Sequence, residues 1–262
     1  MSIYLDLGRQ LLKNRRFVYE ITRREIAVKN KGMVLGTAWL AIVPLIQSAT
    51  YVLFVSVILS RNVGHTQFGY AVYVLSGLVP WATMTRVLVE SPTLLIERAS
   101  LIKQVNYPLE TIPFSVIMGA LLAMGLTFIV LIGIAAYAGS LSWTVVLLPV
   151  VLLLLIAFLF GAAWFLMVIG AVLKDIRDVV GLVMGLLIFL SPVMITEQLV
   201  GPRIWTLLLY NPFAHVVITF RDVMFGTFHP LSWAVLAGLA AFFILVGGWL
   251  LSRAKVMINE YI

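Results

Sequence analysis

Trp143-TVVLLPVVLLLLIAFLFGAAWFLMVIGAV-Leu173 runs for 31 residues without one charged side chain. A helix that crosses the hydrocarbon core of a bilayer needs about 20 apolar residues at roughly 1.5 Å of rise each. This stretch exceeds that length. Working outward, five more segments qualify as spans: residues 37–60, 68–90, 112–137, 179–194 and 232–252. The segment 179–194 is short, but Val179 to Leu190 carries no charge and Ser191 and Pro192 extend it. Strand alternation is absent and Leu, Ile, Ala, Met and Gly dominate, so helices fit better than a β-barrel.

The whole chain agrees with these segments. Of its 262 residues, 62% are hydrophobic and 11% charged, and its mean hydropathy is +1.08. A soluble domain averages about 45–50% apolar and about 25% charged. The balance excludes a disordered chain, a coiled coil and a nucleic-acid-binding domain with a basic groove, and most soluble enzymes as well. With no cysteine there is no disulfide frame, thiolate metal site or cysteine nucleophile.

Lys and Arg in short loops set orientation. The region before the first span holds eight: Arg9, Lys13, Arg15, Arg16, Arg23, Arg24, Lys29 and Lys31. Arg98, Lys103, Lys174, Arg177, Arg253 and Lys255 fall on the same side, and only Arg61, Arg203 and Arg221 on the other. Both termini are therefore expected in the cytoplasm, and much of the net charge of +7 is topology, with attraction to anionic lipids second. The N-terminal residues 1–30 lack the apolar core and cleavage site of a signal peptide. Asp6, Arg9, Lys13, Arg16, Glu20 and Arg23 make a charged stripe at helical steps, which suits an amphipathic helix at the membrane surface. An ordinary solvated helix is the alternative.

Two connections stand out. The cytoplasmic loop 91–113 carries Pro92, Pro108 and Pro113, with Leu94, Leu95, Leu101, Ile102 and Val105 interleaved among Glu97, Arg98, Lys103 and Gln104. The pattern describes a short proline-bounded amphipathic helix: a handle for a soluble partner or a membrane-surface loop. Residues 196–231 are too few for two spans, yet apolar on both sides of Asn211-Pro212. Proline pushes the residue before it out of the helical region. Two half-helices dipping into the outer leaflet fit, and broken helices at that depth favour a permeation path.

Catalytic chemistry is missing from the sequence. No G-x-x-x-x-G-K-[ST] phosphate loop, H-E-x-x-H motif or mid-membrane acidic pair appears. His65, His215 and His229 are widely separated and read as interfacial. Arg86 and Glu90 stand four apart and can pair on one helix face. Gly181-x-x-x-Gly185 could allow close helix packing or dimer contact. Tyr51, Phe54, Tyr73, Trp81, Phe160 and Trp164 lie deep in spans, where they pack against helices or lipid, or offer flat faces to a sugar chain.

The order of motifs resembles the permease subunit of ABC-2 type exporters of lipid-linked polysaccharides. Lys31-Gly-Met-Val-Leu-Gly36-Thr-Ala-Trp39 with Pro44 is similar to that family's entry into span one, and Gly77-Leu-Val-Pro80-Trp81 to its span two. The segment Leu101-Ile-Lys103-Gln-Val105-Asn-Tyr107-Pro108 through Pro113 resembles its loop motif. Arg177-Asp178, Leu190-Ser191-Pro192-Val193, Asn211-Pro212-Phe213 and Arg221-Asp222 follow in order. Gln104 stands where a second basic residue is usual, Tyr107 where Phe is usual, and Met194-Ile195 where Phe-Tyr or Ile-Tyr is frequent.

The resemblance implies an all-α integral membrane protein. It has six transmembrane helices, an N-terminal interface helix (1–30), a transmembrane domain (31–262) and a re-entrant segment between helices five and six. It implies a homodimer in the bacterial inner membrane that works with two copies of a separate ABC ATPase. ATP and Mg would be bound by that partner, and this chain would hold no cofactor or metal. Leu101, Lys103, Gln104 and Tyr107 would form the tip that docks in the ATPase, and Asn211-Pro212 the break of a re-entrant pair at the outer mouth. The cargo would be a polymer on undecaprenyl pyrophosphate, O-antigen in preference to capsule or teichoic acid. Tyr51 and Phe54 are the first choices for a channel lining. Arg203 and Arg221 are candidates to meet the carrier pyrophosphate, although a structural pair of Arg221 with Asp222 is the favoured reading of that residue. A small-molecule ABC-2 exporter and an intramembrane glycan-modifying enzyme are the rivals.

Overall fold

The computed structural model describes residues 19–20, 22–24, 36–58, 67–104, 108–137, 139–193 and 195–261. These are helical, and no strand occurs among them. A 3-10 turn, Gly36–Ala38, leads into α1 (Trp39–Ile58), followed by α2 (Gln67–Glu90). The loop that comes next contains the short helices α3 (Leu94–Glu97) and α4 (Ala99–Gln104) and a 3-10 turn, Leu109–Thr111. Then come α5 (Phe114–Tyr137), α6 (Leu148–Val172), α7 (Ile176–Leu187), α8 (Glu197–Leu208), α9 (Ala214–Phe225) and α10 (Pro230–Tyr261). Residues 19–20 and 22–24 are helical, with Thr22 buried and Glu20, Arg23 and Arg24 exposed. The remainder of the expected interface helix 1–30 lies outside the described residues.

Four stretches among the described residues are long and apolar enough to cross a membrane: Val72–Glu97, Leu109–Tyr137, Trp143–Val172 and Pro230–Lys255. The chain is therefore a multi-pass membrane protein. The expected fifth span is not a continuous helix over 179–194. Helix α7 stops at Leu187 and rises only about 18 Å over its length. The apolar sequence continues past that point, but the Ser191 hydroxyl donates to Leu187 O at 2.7 Å and residues 188–193 form turns.

Helix α6 is the axis of the core. Val151, Leu155, Phe158, Leu159, Ala162, Ala163 and Met167 on it have no exposed surface. Along one side lies α10, and the two backbones touch: a Cβ on Gly161 would collide with Phe243 and Ile244, and one on Gly247 with the Gly161 carbonyl. Without a hydrophobic drive between helices in lipid, small residues that permit this approach hold them together. Gly181 and Gly185, the pair with the dimerisation spacing, have open space where a Cβ would be. Pro80 lies within α2, and the nearby Ser76 and Thr83 hydroxyls donate to Tyr73 O and Val79 O.

Candidate functional site

A groove of about 1010 Å³ runs between α1, α2, α5 and α7. Trp39, Val43, Leu78, Trp81, Met124 and Met184 give it an apolar wall, and Gln47, Ser48, Thr83 and Thr127 a few hydroxyl and amide groups. Its charged lining residues are Arg86, Glu90 and Arg177. Arg86 Nε donates to Glu90 Oε1 at 3.1 Å, the expected i, i+4 pair, and both side chains are about 30% exposed. The groove is a mostly apolar trough with a few polar groups.

Beside it, α8 and α9 form a hairpin broken at residues 209–213. Asn211 makes the break rigid. Its Oδ1 accepts from Phe213 N at 3.0 Å, and its Nδ2 donates to Ser191 Oγ at 2.7 Å and Leu190 O at 3.2 Å. The break thus grips the end of α7. Phe213 packs on Phe158, two and a half turns or more into α6, whereas at the other end of α9 Ser142 N donates to Met224 O and Thr144 Oγ1 to Val223 O at 2.9 Å. So α9 runs back along the N-terminal half of α6.

Every residue of α9 from Ala214 to Met224 is buried. Its polar groups are consumed within the fold. Arg221 lies with its guanidinium carbon 3.6 Å from the Tyr73 ring centroid, and Nη2 donates to Val193 O at 2.8 Å and Tyr73 O at 3.3 Å. The Tyr73 hydroxyl in turn donates to Ile195 O at 3.1 Å. Together they clasp the segment that leaves α7. Nε and Nη1 of Arg221 have no hydrogen-bond partner among the described residues. Gly77 makes room for this clasp, since a Cβ there would stand 2.9 Å from Val217 Cγ1 and 3.0 Å from Arg221 Nη2.

Asp222 faces a different way. Its Oδ1 accepts from Thr227 Oγ1 at 2.7 Å and from His229 Nδ1 at 2.6 Å; Oδ2 accepts from His229 N at 2.8 Å and Trp233 Nε1 at 3.0 Å. The carboxylate thereby fastens α9 to the N-terminus of α10, where negative charge is favourable. His215 adds a second tie, with Nε2 3.0 Å from Leu209 O and Nδ1 2.9 Å from Ser232 Oγ. The carbonyl can only accept, so Nε2 carries the proton and Nδ1 accepts from the serine.

The expected pair of Arg221 with Asp222 is therefore corrected: successive helical residues point about 100° apart and do not face each other. Arg221 is turned inward, while Arg203 on α8 is exposed. Tyr51 and Phe54 lie on α1, and Leu101, Lys103 and Gln104 on α3–α4, but their side chains lie outside the described residues, as does Tyr107 altogether. The loop that contains them is firmly seated at both ends. Arg98 donates to Ile112 O at 2.9 Å and Ser115 Oγ at 2.6 Å, and Trp164 Nε1 to Glu110 O at 3.0 Å. Lys255 pairs with Glu110 at 2.5 Å.

The architecture is all-helical, with a trough, a polar-anchored hairpin and a seated loop. The family model of the ABC-2 type transporter matches residues 17–225. The chain belongs to this family. It is similar to an O-antigen export system permease protein RfbA of Myxococcus xanthus, 26% identical over 192 residues, which is 72% of each chain. It is also similar to proteins of the same name from Klebsiella pneumoniae. One is 25% identical over 79% of this chain and 80% of its own length, the other 23% over 78% of each. ABC-2 permeases are transmembrane subunits that function with ABC ATPase subunits, so this chain is a permease and not itself catalytic.

The ABC-2 motifs now have physical contents. The glycine of Gly77-x-x-Pro80-Trp81 admits α9, Ser191 and Val193 of the Ser-Pro motif receive Asn211 and Arg221, and the Arg-Asp pair anchors α9 in two directions. Sequence reading missed Glu110 and Tyr73 as anchors. Their signal was faint: a second acid at the end of a mixed-charge loop, and a tyrosine one turn before a glycine.

Proposed function

We propose that this permease exports a lipid-linked polysaccharide, O-antigen in the first instance, from cytoplasm to periplasm. The carrying observation is that three relatives, each aligned over most of this chain, are O-antigen export permeases by name. The groove supports the reading, because a mostly apolar trough with few hydroxyls suits a chain that must slide past without being held.

In this reading the chain has six spans, with α7 and the turn after it as the fifth, and both termini lie in the cytoplasm of a bacterial inner membrane. Two copies place their troughs face to face, and spans one and five line a continuous channel with Tyr51 and Phe54 on it. A long glycan cannot be enclosed in a closed pocket, so it advances stepwise as two ABC ATPase subunits, which bind ATP and Mg, cycle. Leu101, Lys103, Gln104 and Tyr107 dock there. Arg203, exposed on the hairpin, meets the carrier pyrophosphate at the outer mouth, and Arg221 holds that hairpin from behind. Asn211 and Pro212 set its tip.

Copurification with the cognate ABC ATPase, reconstitution and identification of the glycan that stimulates ATP turnover is the test. Stimulation by an undecaprenyl-pyrophosphate-linked O-antigen is expected. Stimulation by capsule or teichoic acid would change the cargo, and stimulation by drugs alone would overturn the reading.

A further inference from the structure

Glu110 has no exposed surface. Its Oε2 lies 2.5 Å from Lys255 Nζ, an ion pair by distance, and neither carboxylate oxygen makes a hydrogen bond among the described residues. A buried carboxylate stripped of its partner is an uncompensated charge, so the two groups hold each other firmly. They belong to elements far apart in sequence: the end of the loop 91–113 and the far end of α10.

Each side of this pair is stiff. On the loop, Arg98 and Trp164 fix the turn that carries Glu110 to α5 and α6. On α10, backbone contact between Gly247 and Gly161 fits it to α6. The opposite end of α10 carries the second set of polar ties, Ser232 to His215 and Trp233 to Asp222. From Trp233 to Lys255 the helix rises about 33 Å, close to the thickness of a bilayer's hydrocarbon core. Hydrogen bonds and an ion pair thus grip this helix at its two ends, and apolar packing holds the length between them.

We infer that the Glu110–Lys255 pair is a latch through which the loop 91–113 grips α10, and that α10 carries displacement of that loop across the membrane to the α8–α9 hairpin. The inference rests on the proposed docking of the ATPase at that loop. Glu110 and Lys255 touch neither nucleotide nor cargo; they are positioning residues. A packed helix with discrete contacts at both ends is a physical route for coupling between distant sites. A pair that merely stabilises the fold would not separate ATP turnover from movement at the far end, and that separation is the measurable difference.

The test uses the permease with its cognate ABC ATPase in liposomes. The chain has no cysteine, so a single cysteine at Phe228, an exposed position between α9 and α10 beside Trp233, takes an environment-sensitive fluorophore without background. In the parent complex, ATP is expected to shift the emission. Lys255→Met is expected to keep hydrolysis close to the parent rate and to weaken the emission response at least about fivefold, a typical coupling effect. The exchange Glu110→Lys with Lys255→Glu is expected to restore the response. A Lys255→Met complex that responds like the parent, a parallel fall of hydrolysis and response, or a parent that hydrolyses ATP with no response at position 228 would each overturn the latch. If Lys255→Met does not fold, the exchange variant decides, because a folded exchange variant without a response also overturns it. A parent permease that never binds the ATPase overturns the docking reading, and the latch with it.

Discussion

Helices α7 and α9 have the same length, twelve residues, and opposite fates. Eleven consecutive residues of α9 are buried, including His215, Thr219, Arg221 and Asp222, whereas α7 buries only Met184. In a soluble protein the more apolar helix would be the one inside. Here the more polar helix is inside, because lipid offers no partner to a guanidinium or a carboxylate, and the apolar Leu182, Val183 and Leu186 stay on the open side. Between these two helices burial follows hydrogen-bonding need, and the surface that α7 leaves open is free to face lipid or a second copy.

The largest break in this comparison is expected at Asp222. Asp222→Ala removes four hydrogen bonds at once and leaves the half-buried Trp233 indole without its acceptor, which costs about 3 kcal/mol or more. The midpoint of thermal unfolding in detergent should fall accordingly. Gly77→Ala is expected to cost about 1–3 kcal/mol by overpacking against Val217 and Arg221, read from the same melt. Arg221→Met should be milder, within about 1 kcal/mol, because it removes a charge with two unpaired nitrogens along with its two good contacts. Under the proposed function, glycan export by that variant should fall more than its stability does, since the hairpin loses its clasp on Val193. On α7, Leu182→Ala together with Leu186→Ala should move the melt by no more than about 0.5 kcal/mol each, as surface positions do. If this face meets a second copy, cross-linking between copies in native membranes will drop, and unchanged cross-linking would assign the face to lipid.

Much of the helical layout was legible because composition changes sharply at the ends of long spans. Helix α2 begins and ends within a residue of expectation, and α5 within two. Helix α10 runs on to Tyr261, nine residues past the expected end, since helical hydrogen bonding does not require apolar side chains once the chain leaves the membrane. The continuous helix expected over 179–194 failed for the converse reason. Nothing in the apolar content of 188–193 marks the point where Asn211, twenty residues on, would reach in and hold Ser191. The break at Asn211-Pro212 was visible because proline acts locally. Its partners, like that of Glu110, were not, since sequence periodicity carries no record of contacts across 20 or 145 positions.

The close seam of α6 and α10 has a bearing on how the chain is made. Gly161 and the carboxylate of Glu110 are both completed by α10, a helix made well after them, the one through Gly247 and the other through Lys255. Until then the nascent permease holds an open seam and a charge without its counterion, and α9 lacks Ser232 and Trp233. This seam therefore closes only after α10 has been made. A polypeptide truncated before residue 255 would insert its earlier helices and leave the charge of Glu110 without Lys255, a clear target for membrane quality control.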